Sequence, residues 1–157
     1  MILNDKSVHD LNQYIQTLLG KTVKEVKISS KRLQPMIGIN FSTSVDPNEL
    51  GYIAPSYSFW RLEMRDEILC GSGDTVEHIK PEVEKIIGER FVSISIEMPL
   101  FETEIKFSNN SILKMLPMYT EFDINNLKPH KVHWSAQVSN SEKLIVGPGS
   151  LWFIKSS

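Results

Sequence analysis

Two stretches of the chain carry apolar residues at intervals of three and four, the spacing that makes one face of an amphipathic helix. Each stretch ends at a glycine in a C-cap position. Ser7 with Asp10, and Asp74 with Glu77, have the spacing of N-terminal capping pairs. The pattern predicts two helices, with apolar faces formed by Leu11, Tyr14, Ile15, Leu18 and Leu19 and by Ile79, Val83, Ile86 and Ile87.

Elsewhere apolar and polar residues alternate, which predicts strands with one buried face. An Arg65-Asp66 turn is expected to join two of these strands as a hairpin. Two segments rich in Pro, Asn and Asp, 42–56 and 119–131, are predicted to be irregular loops. The predicted strands lie near 26–28, 37–41, 60–64 and 68–70 before the second helix, and near 92–98, 101–107, 112–117, 132–138, 144–146 and 151–154 after it.

The apolar positions of the second predicted helix lie 68 residues after those of the first, and the match continues without a gap to Gly20 and Gly88. Later landmarks recur in the same order, as with Trp60 and Trp134. Convergent patterning in an antiparallel sheet is the alternative explanation. We expect an α+β fold of one domain, 1–157, in which two similar halves, about 1–74 and 75–157, share one core in a pseudo-twofold arrangement. The other matched landmarks are 39–42 with 105–108, and 71–73 with 147–149.

The glycine turn at 71–74 joins a predicted strand to the second helix, as phosphate-binding turns do. However, it lacks the third glycine of a dinucleotide fingerprint and the Gly-Lys-Ser/Thr ending of a phosphate loop. Asp74 also places a negative charge where the anion would bind. We therefore expect a structural turn and no nucleotide cofactor, with Asp74 as the N-cap of the helix.

No combination of residues has the spacing of a known catalytic or metal site. His130 and His133 are two potential ligands without a third, and we expect them to be exposed to solvent. Glu102 and Glu104 share one face of a strand, as charged surface residues often do. Cys70 is expected to pack in the core. The sequence therefore predicts a protein that is not an enzyme and that uses neither a metal nor a cofactor.

Length, composition and cysteine content limit the compartment in which the protein can be expected. The chain has 157 residues, 41% hydrophobic residues, a formal net charge of −2 and one cysteine. One cysteine cannot form an internal disulfide, which suits a reducing compartment. The sequence contains neither a signal peptide nor an apolar window long enough to span a bilayer, so we expect a cytoplasmic protein without membrane association.

Charge is distributed unevenly along the chain. The segment 21–32 contains five Lys and Arg residues and one Glu, whereas the segment 63–89 contains eight acidic residues and three basic ones. A basic and an acidic segment on one protein can steer the approach of a charged partner. Charged side chains that only face solvent give the same pattern. The basic segment has no interleaved aromatic residues to stack on bases, and nucleic acid is therefore not the expected partner.

The chain resembles the immunity proteins of bacterial contact-dependent inhibition and related polymorphic toxin systems. The resemblance is carried by Phe59-Trp60-Arg61-Leu62, by the acidic run at 77–89 and by the segment from Gly147 to Trp152. It implies tight binding to one cognate toxin domain, often a basic nuclease, and neutralisation of that toxin. An acidic surface would then steer association. The expected partner-binding residues are Asp66, Glu67, Glu77, Glu82 and Glu84.

Two other functions stay open. The predicted loops 43–56 and 119–131 could form a small-molecule-binding or hydrolytic site. The basic strand 21–32 could bind nucleic acid.

Overall fold

The computed structural model describes residues 8–30, 34–42, 50–56, 58–98, 101–117, 132–139, 142–147 and 152–156. These residues include two short helices, α1 (Val8–Ile15) and α2 (Val76–Val83). Each is extended by one 3-10 turn, Gln16–Leu18 or Glu84–Ile86. Both predicted helices are therefore present, and each ends before a glycine with positive φ, Gly20 or Gly88. Within the described residues, no helix has the length and apolar character needed to cross a membrane.

The described strands form two antiparallel sheets. They are β1 (Thr22–Ser29), β2 (Met36–Ser42), β3 (Leu50–Pro55), β4 (Ser58–Met64), β5 (Glu67–Gly71), β6 (Phe91–Glu97), β7 (Glu102–Phe107), β8 (Ser111–Pro117), β9 (Trp134–Ser139), β10 (Glu142–Val146) and β11 (Trp152–Ser156). Sheet A has the order β1-β2-β3-β9-β10-β11, and sheet B has the order β5-β4-β8-β7-β6. The prediction of an α+β fold built mainly from antiparallel strands is thus confirmed.

The strand β3 lies inside a segment for which a loop was predicted, and that prediction was wrong for Leu50–Pro55. Gly51 and Pro55 suggested a loop, but both residues suit their positions in the sheet. Gly51 lies opposite Phe41, and a side chain on Gly51 would lie 2.3 Å from the Phe41 ring. Pro55 ends the strand, where a missing N–H is tolerated.

One hydrophobic core contains residues from both sheets and both helices. Phe41 of sheet A meets Phe91 of sheet B edge to face, with ring centroids 5.3 Å apart, and Phe107 packs against Phe91 at 5.4 Å. The indole Nε1 of Trp134 in sheet A donates to Thr103 Oγ1 in sheet B at 2.9 Å. The two sheets therefore face each other across a shared core.

The starts of β1 and β6 are joined by backbone hydrogen bonds, so the two sheets also connect along an edge. Thr22 and Arg90 form an antiparallel bridge at the centre of this contact. The bonds run from Gly20 N to Phe91 O (2.9 Å), Gly88 N to Val23 O (2.8 Å), Phe91 N to Lys21 O (3.0 Å) and Val23 N to Glu89 O (2.8 Å).

The N-terminus of α2 differs from the prediction, because the N-cap is Thr75 and not Asp74. The Thr75 hydroxyl accepts from the His78 N–H at 3.3 Å. The Asp74 carboxylate instead accepts from the Gly71 N–H at 2.7 Å, which leaves it outside the first turn of the helix. The predicted cap of the first helix, Ser7, lies outside the described residues.

Candidate functional site

The predicted acidic residues of α2 do not share one face of the helix. Ile79 and Val83 are buried and define the inner face. Glu77 and Glu84 are seven positions apart, so they lie together on the exposed side. Glu82 lies on another side, and its carboxylate is 2.5 Å from the ammonium of Lys85. The negative charge of Glu82 is therefore largely matched within the helix.

The other two predicted residues, Asp66 and Glu67, lie at the turn between β4 and β5. Arg65 and Asp66 have φ values of 52° and 64°, which confirms the predicted hairpin turn. Asp66 and Glu67 are both exposed. In the described part of the chain, neither residue forms an ion pair, so both carboxylates are open to a partner.

The outer face of sheet B carries an apolar pair that sequence reasoning did not select. Phe59 on β4 lies directly opposite Leu116 on β8, and their side chains are 46% and 38% exposed. Ile68 on β5 lies opposite Glu63 on the same face and is 63% exposed. Three large apolar side chains on one open sheet surface form a candidate contact area.

A row of charged residues separates Phe59 and Leu116 from Ile68. Arg61 lies opposite Lys114, which lies opposite Glu104 on β7. The Glu63 carboxylate is 2.5 Å from Arg61 Nε and 3.1 Å from Lys114 Nζ, and Glu104 is 4.0 Å from Lys114 Nζ. These contacts hold the charged side chains in place beside the apolar ones.

The outer face of sheet A is different in character. At its centre small or neutral residues follow one another, with Ala54 opposite Ser135 and Tyr52 opposite Gln137. The Lys143 ammonium lies over the Tyr52 ring, 5.4 Å from its centroid. Among the described side chains, this face shows neither an exposed apolar pair like Phe59 and Leu116 nor a row of ion pairs like the one on sheet B.

The two histidines considered as metal ligands were His130 and His133. His133, expected to be exposed, is buried, and that prediction was wrong. Its ring packs so closely on Gly147 that a side chain there would lie 2.4 Å from it. His130 lies outside the described residues. Within the described residues, no group of three His, Cys, Asp or Glu side chains is placed to hold a metal ion.

Cys70 is buried, as expected, and burial raises the pKa of its thiol to about 12, with further contributions from Glu82 and Asp74. At neutral pH the group is a thiol, which is a poor nucleophile. The pKa of Tyr14 is also raised, by burial and by the hydrogen bond of 2.9 Å that its hydroxyl donates to Glu142. In both groups, burial is the main cause of the raised pKa.

The turn at 71–74 has no free position for a phosphate at its first amide, because the Gly71 N–H donates to Asp74. In the basic segment, the Lys21 ammonium lies over the Phe41 ring at 5.4 Å, while Lys24 and Lys27 are exposed. Lys31 and Arg32 lie outside the described residues, as do 43–49 and 119–131 of the two predicted loops.

Comparisons with protein-family models, with curated proteins and with solved structures found no match to this chain.

Proposed function

We propose that this protein acts by binding another protein and that its partner is a cognate bacterial toxin domain, which it neutralises by tight association without catalysis. The observation that carries this proposal is the outer face of sheet B. Phe59 and Leu116 are exposed side by side and are bordered by the row of ion-paired residues described above. Protein interfaces combine an aromatic or aliphatic centre with a polar rim in this way.

The charged row supports specificity. Because Glu63 contacts both Arg61 and Lys114, the three side chains are held in a fixed arrangement before a partner arrives. A partner that fails to match their signs must separate or desolvate these charges, which is costly. The Phe59 ring would supply binding free energy, and the charged row would select the partner.

The acidic residues would act at longer range. Glu77 on α2, Glu84 in the 3-10 turn that follows it, and Asp66 and Glu67 at the hairpin turn are exposed acidic residues next to sheet B. Such a field accelerates association with a basic nuclease. Since Glu82 is paired with Lys85, we expect its contribution to be the smallest of the five predicted residues.

The proposal is tested by capture of the partner from the organism that encodes the protein, followed by measurement of affinity with the purified partner. Phe59→Ala should weaken binding roughly tenfold or more, the effect typical of a central aromatic residue. Tyr52→Ala removes an aromatic ring from the outer face of sheet A and is the matched control. Equal affinities for wild type and Phe59→Ala would contradict the proposed surface, and a captured partner that is not a toxin would contradict the proposed class.

We also propose that the chain consists of two similar halves related by a pseudo-twofold axis. Val8–Ile15 and Val76–Val83 are 68 positions apart, as are the 3-10 turns that follow them. The four hydrogen bonds between the starts of β1 and β6 form two matching pairs, in which each residue is replaced by the one 68 positions away. The bond from Gly20 N to Phe91 O matches the bond from Gly88 N to Val23 O, and the bond from Phe91 N to Lys21 O matches the bond from Val23 N to Glu89 O. The bulges at Val23/Glu25 and Phe91/Ser93 obey the same shift.

The strand registers support the same proposal. Ile39 lies opposite Ile53 in sheet A, and Ile105 lies opposite Leu113 in sheet B. Trp134 lies opposite Pro55, and Trp60 lies opposite Met115. In each half a later hairpin joins the sheet that holds the first strands of the other half, with β4-β5 beside β8 and β9-β10 beside β3. An experimental structure whose halves fail to superpose would contradict the proposal.

A further inference from the structure

A line of four side chains crosses the outer face of sheet B, one from each of the consecutive strands β4, β8, β7 and β6. Met115 on β8 lies opposite Thr103 on β7. The next residues along these strands, Leu116 and Glu102, are therefore neighbours on the outer face. Glu102 in turn lies opposite Glu97 on β6. We call this line the β4–β6 strip, and its residues are Phe59, Leu116, Glu102 and Glu97.

All four side chains of the β4–β6 strip reach solvent. Phe59 and Leu116 have large exposed fractions, and Glu97 and Glu102 are exposed as well. The nearest helix, α1, contacts β6 at the backbone of Ile94 and Ile96 and leaves the Glu97 side chain exposed. The strip is therefore accessible to another molecule.

Glu97 and Glu102 place two carboxylates directly opposite each other on neighbouring strands. Side chains in such positions have Cβ atoms about 4.5–5.5 Å apart, and like charges there destabilise a sheet. In the described part of the chain, neither carboxylate forms an ion pair. The cations of the adjacent charged row, Arg61 and Lys114, are both held by Glu63. The two negative charges thus lack a cation that matches them.

The same strand shows how a matched position differs. Glu104 on β7 has Lys114 opposite it on β8, with the carboxylate 4.0 Å from the ammonium. Glu102 is two residues earlier on the same face, where its neighbours are Leu116 on β8 and Glu97 on β6. The charged row is therefore balanced within the chain, whereas the β4–β6 strip combines an apolar pair with an unmatched acidic pair.

We propose that the β4–β6 strip binds a segment of the protein partner that places an arginine between Glu97 and Glu102 and an apolar side chain on Phe59 and Leu116. Arginine suits the acidic pair because its planar guanidinium carries five N–H donors and can bond two carboxylates, whereas a lysine ammonium is a compact point charge. The inference rests on the proposed function and names the partner's contact residues by their chemistry.

The strand spacing sets the distance between these two contacts. Adjacent strands lie about 4.8 Å apart, so the centre of the apolar pair is two strands, or about 10 Å, from the centre of the acidic pair. The partner segment therefore holds its apolar side chain and its guanidinium about 10 Å apart. A bound guanidinium would also remove the repulsion between the two carboxylates.

A random dodecapeptide library displayed on phage tests the strip in the absence of the toxin. Wild-type protein should enrich peptides that combine arginine with a large apolar residue. Glu102→Gln keeps the shape of the side chain and should weaken binding of the enriched peptides at least tenfold, because one of the two carboxylates is lost. Glu25→Gln removes one exposed negative charge from sheet A and is the matched control, which should bind the peptides as wild type does.

A second pair of variants separates charge from shape. Glu97→Asp/Glu102→Asp keeps both charges, whereas Glu97→Gln/Glu102→Gln keeps both shapes. All four residues are exposed positions in these variants or their single forms, so the circular dichroism spectrum should stay that of wild type. The aspartate variant should bind the peptides more tightly than the glutamine variant.

Absence of enrichment, or equal weakening by Glu102→Gln and Glu25→Gln, would overturn the proposal. Loss of peptide binding in Phe59→Ala without loss in Glu102→Gln would also overturn it, because the occupant would then be purely apolar. The proposed function has a separate outcome. A captured toxin that binds Glu102→Gln and wild type equally would overturn this inference alone, whereas enriched arginine peptides together with a captured partner that is not a toxin would contradict only the proposed class of partner.

Discussion

At the junction between α1 and β6, Asn12 and Gln16 form hydrogen bonds with the backbone of Ile94 and Ile96, whereas at the junction between α2 and β1 the same helix positions carry Lys80 and Glu84. The two helices have the same length and end in the same kind of turn. The backbone arrangement is therefore common to both junctions, and the difference lies in the polar side chains.

The common part of the junctions is set by buried residues. Leu11 and Ile15 on α1 and Ile79 and Val83 on α2 are all buried in the shared core. Burial of such side chains outweighs the weak intrinsic stability of helices this short. Positions outside the core are free to differ. The hydrogen bonds that Asn12 and Gln16 form with β6 have no counterpart among the described contacts of α2 with β1.

The largest expected effect concerns the aromatic centre of the contact between β1 and β6. Phe91→Ala should destabilise the protein by about 3–5 kcal/mol, because the Phe91 ring packs against both Phe41 and Phe107. Val23→Ala, at the corresponding position of β1, should cost less because fewer buried atoms are removed. Urea denaturation measures both. Equal costs would show that the two positions contribute equally to the core.

The next effect tests the hydrogen bonds that close β6. Asn12→Ala leaves the N–H and C=O of Ile96 without their side-chain partner and should cost about 1–3 kcal/mol. Lys80→Ala on α2 should change stability by less than about 0.5 kcal/mol, because it removes an exposed side chain. Hydrogen exchange of the Ile96 amide should accelerate only in Asn12→Ala. Similar costs for the two variants would remove the distinction between the junctions.

The glycines that end the two helices should behave alike. Gly20 and Gly88 have φ values of 81° and 86°, and a side chain would meet no atom within 4 Å at either position. Alanine at each should therefore cost about 1–2 kcal/mol through backbone strain alone. Gly38→Ala is the control, since Gly38 also has free space but lacks a positive φ. Thermal unfolding measures the three variants, and markedly different costs at Gly20 and Gly88 would argue against two similar halves.

The smallest expected effect is a gain. Lys80→Asn/Glu84→Gln should raise the free energy of unfolding by about 1 kcal/mol. The new amides would bond the backbone of Val26 and Ile28, which lie 68 positions before Ile94 and Ile96, as Asn12 and Gln16 bond the backbone of β6. Slower exchange of the Ile28 amide would locate the gain. If stability and exchange match those of Lys80→Ala/Glu84→Ala, the corresponding helix positions do not reach β1 as Asn12 reaches β6.

The sequence predicted the helices well because their apolar spacing and terminal glycines are local signals. It did not predict β3, because Gly51 and Pro55 have the composition of a loop and only the packing of Phe41 against Gly51 explains the strand. The burial of His133 also escaped prediction, since it depends on contact with Gly147, which follows the end of β10.

The candidate surfaces were harder to predict for the same reason. Alternation places Phe59 on the side of β4 opposite Trp60, but its exposure depends on which elements cover that side. Strand order decides whether β1 is an edge, and no local pattern encodes strand order. The acidic residues were recognised as exposed from their type, whereas the pairing of Glu82 with Lys85 depends on the helix geometry.

The exchange of hairpins between the two sheets has a consequence for the time course of folding. Sheet B places β4 beside β8, and sheet A places β3 beside β9, so neither sheet is complete until strands distant in sequence have been synthesised. Pairings of this kind raise the contact order and slow folding, because long loops must close before the contacts stabilise them. On the ribosome β1, β2 and β3 must wait for β9, and during that interval the chain exposes sheet surfaces that other proteins could contact.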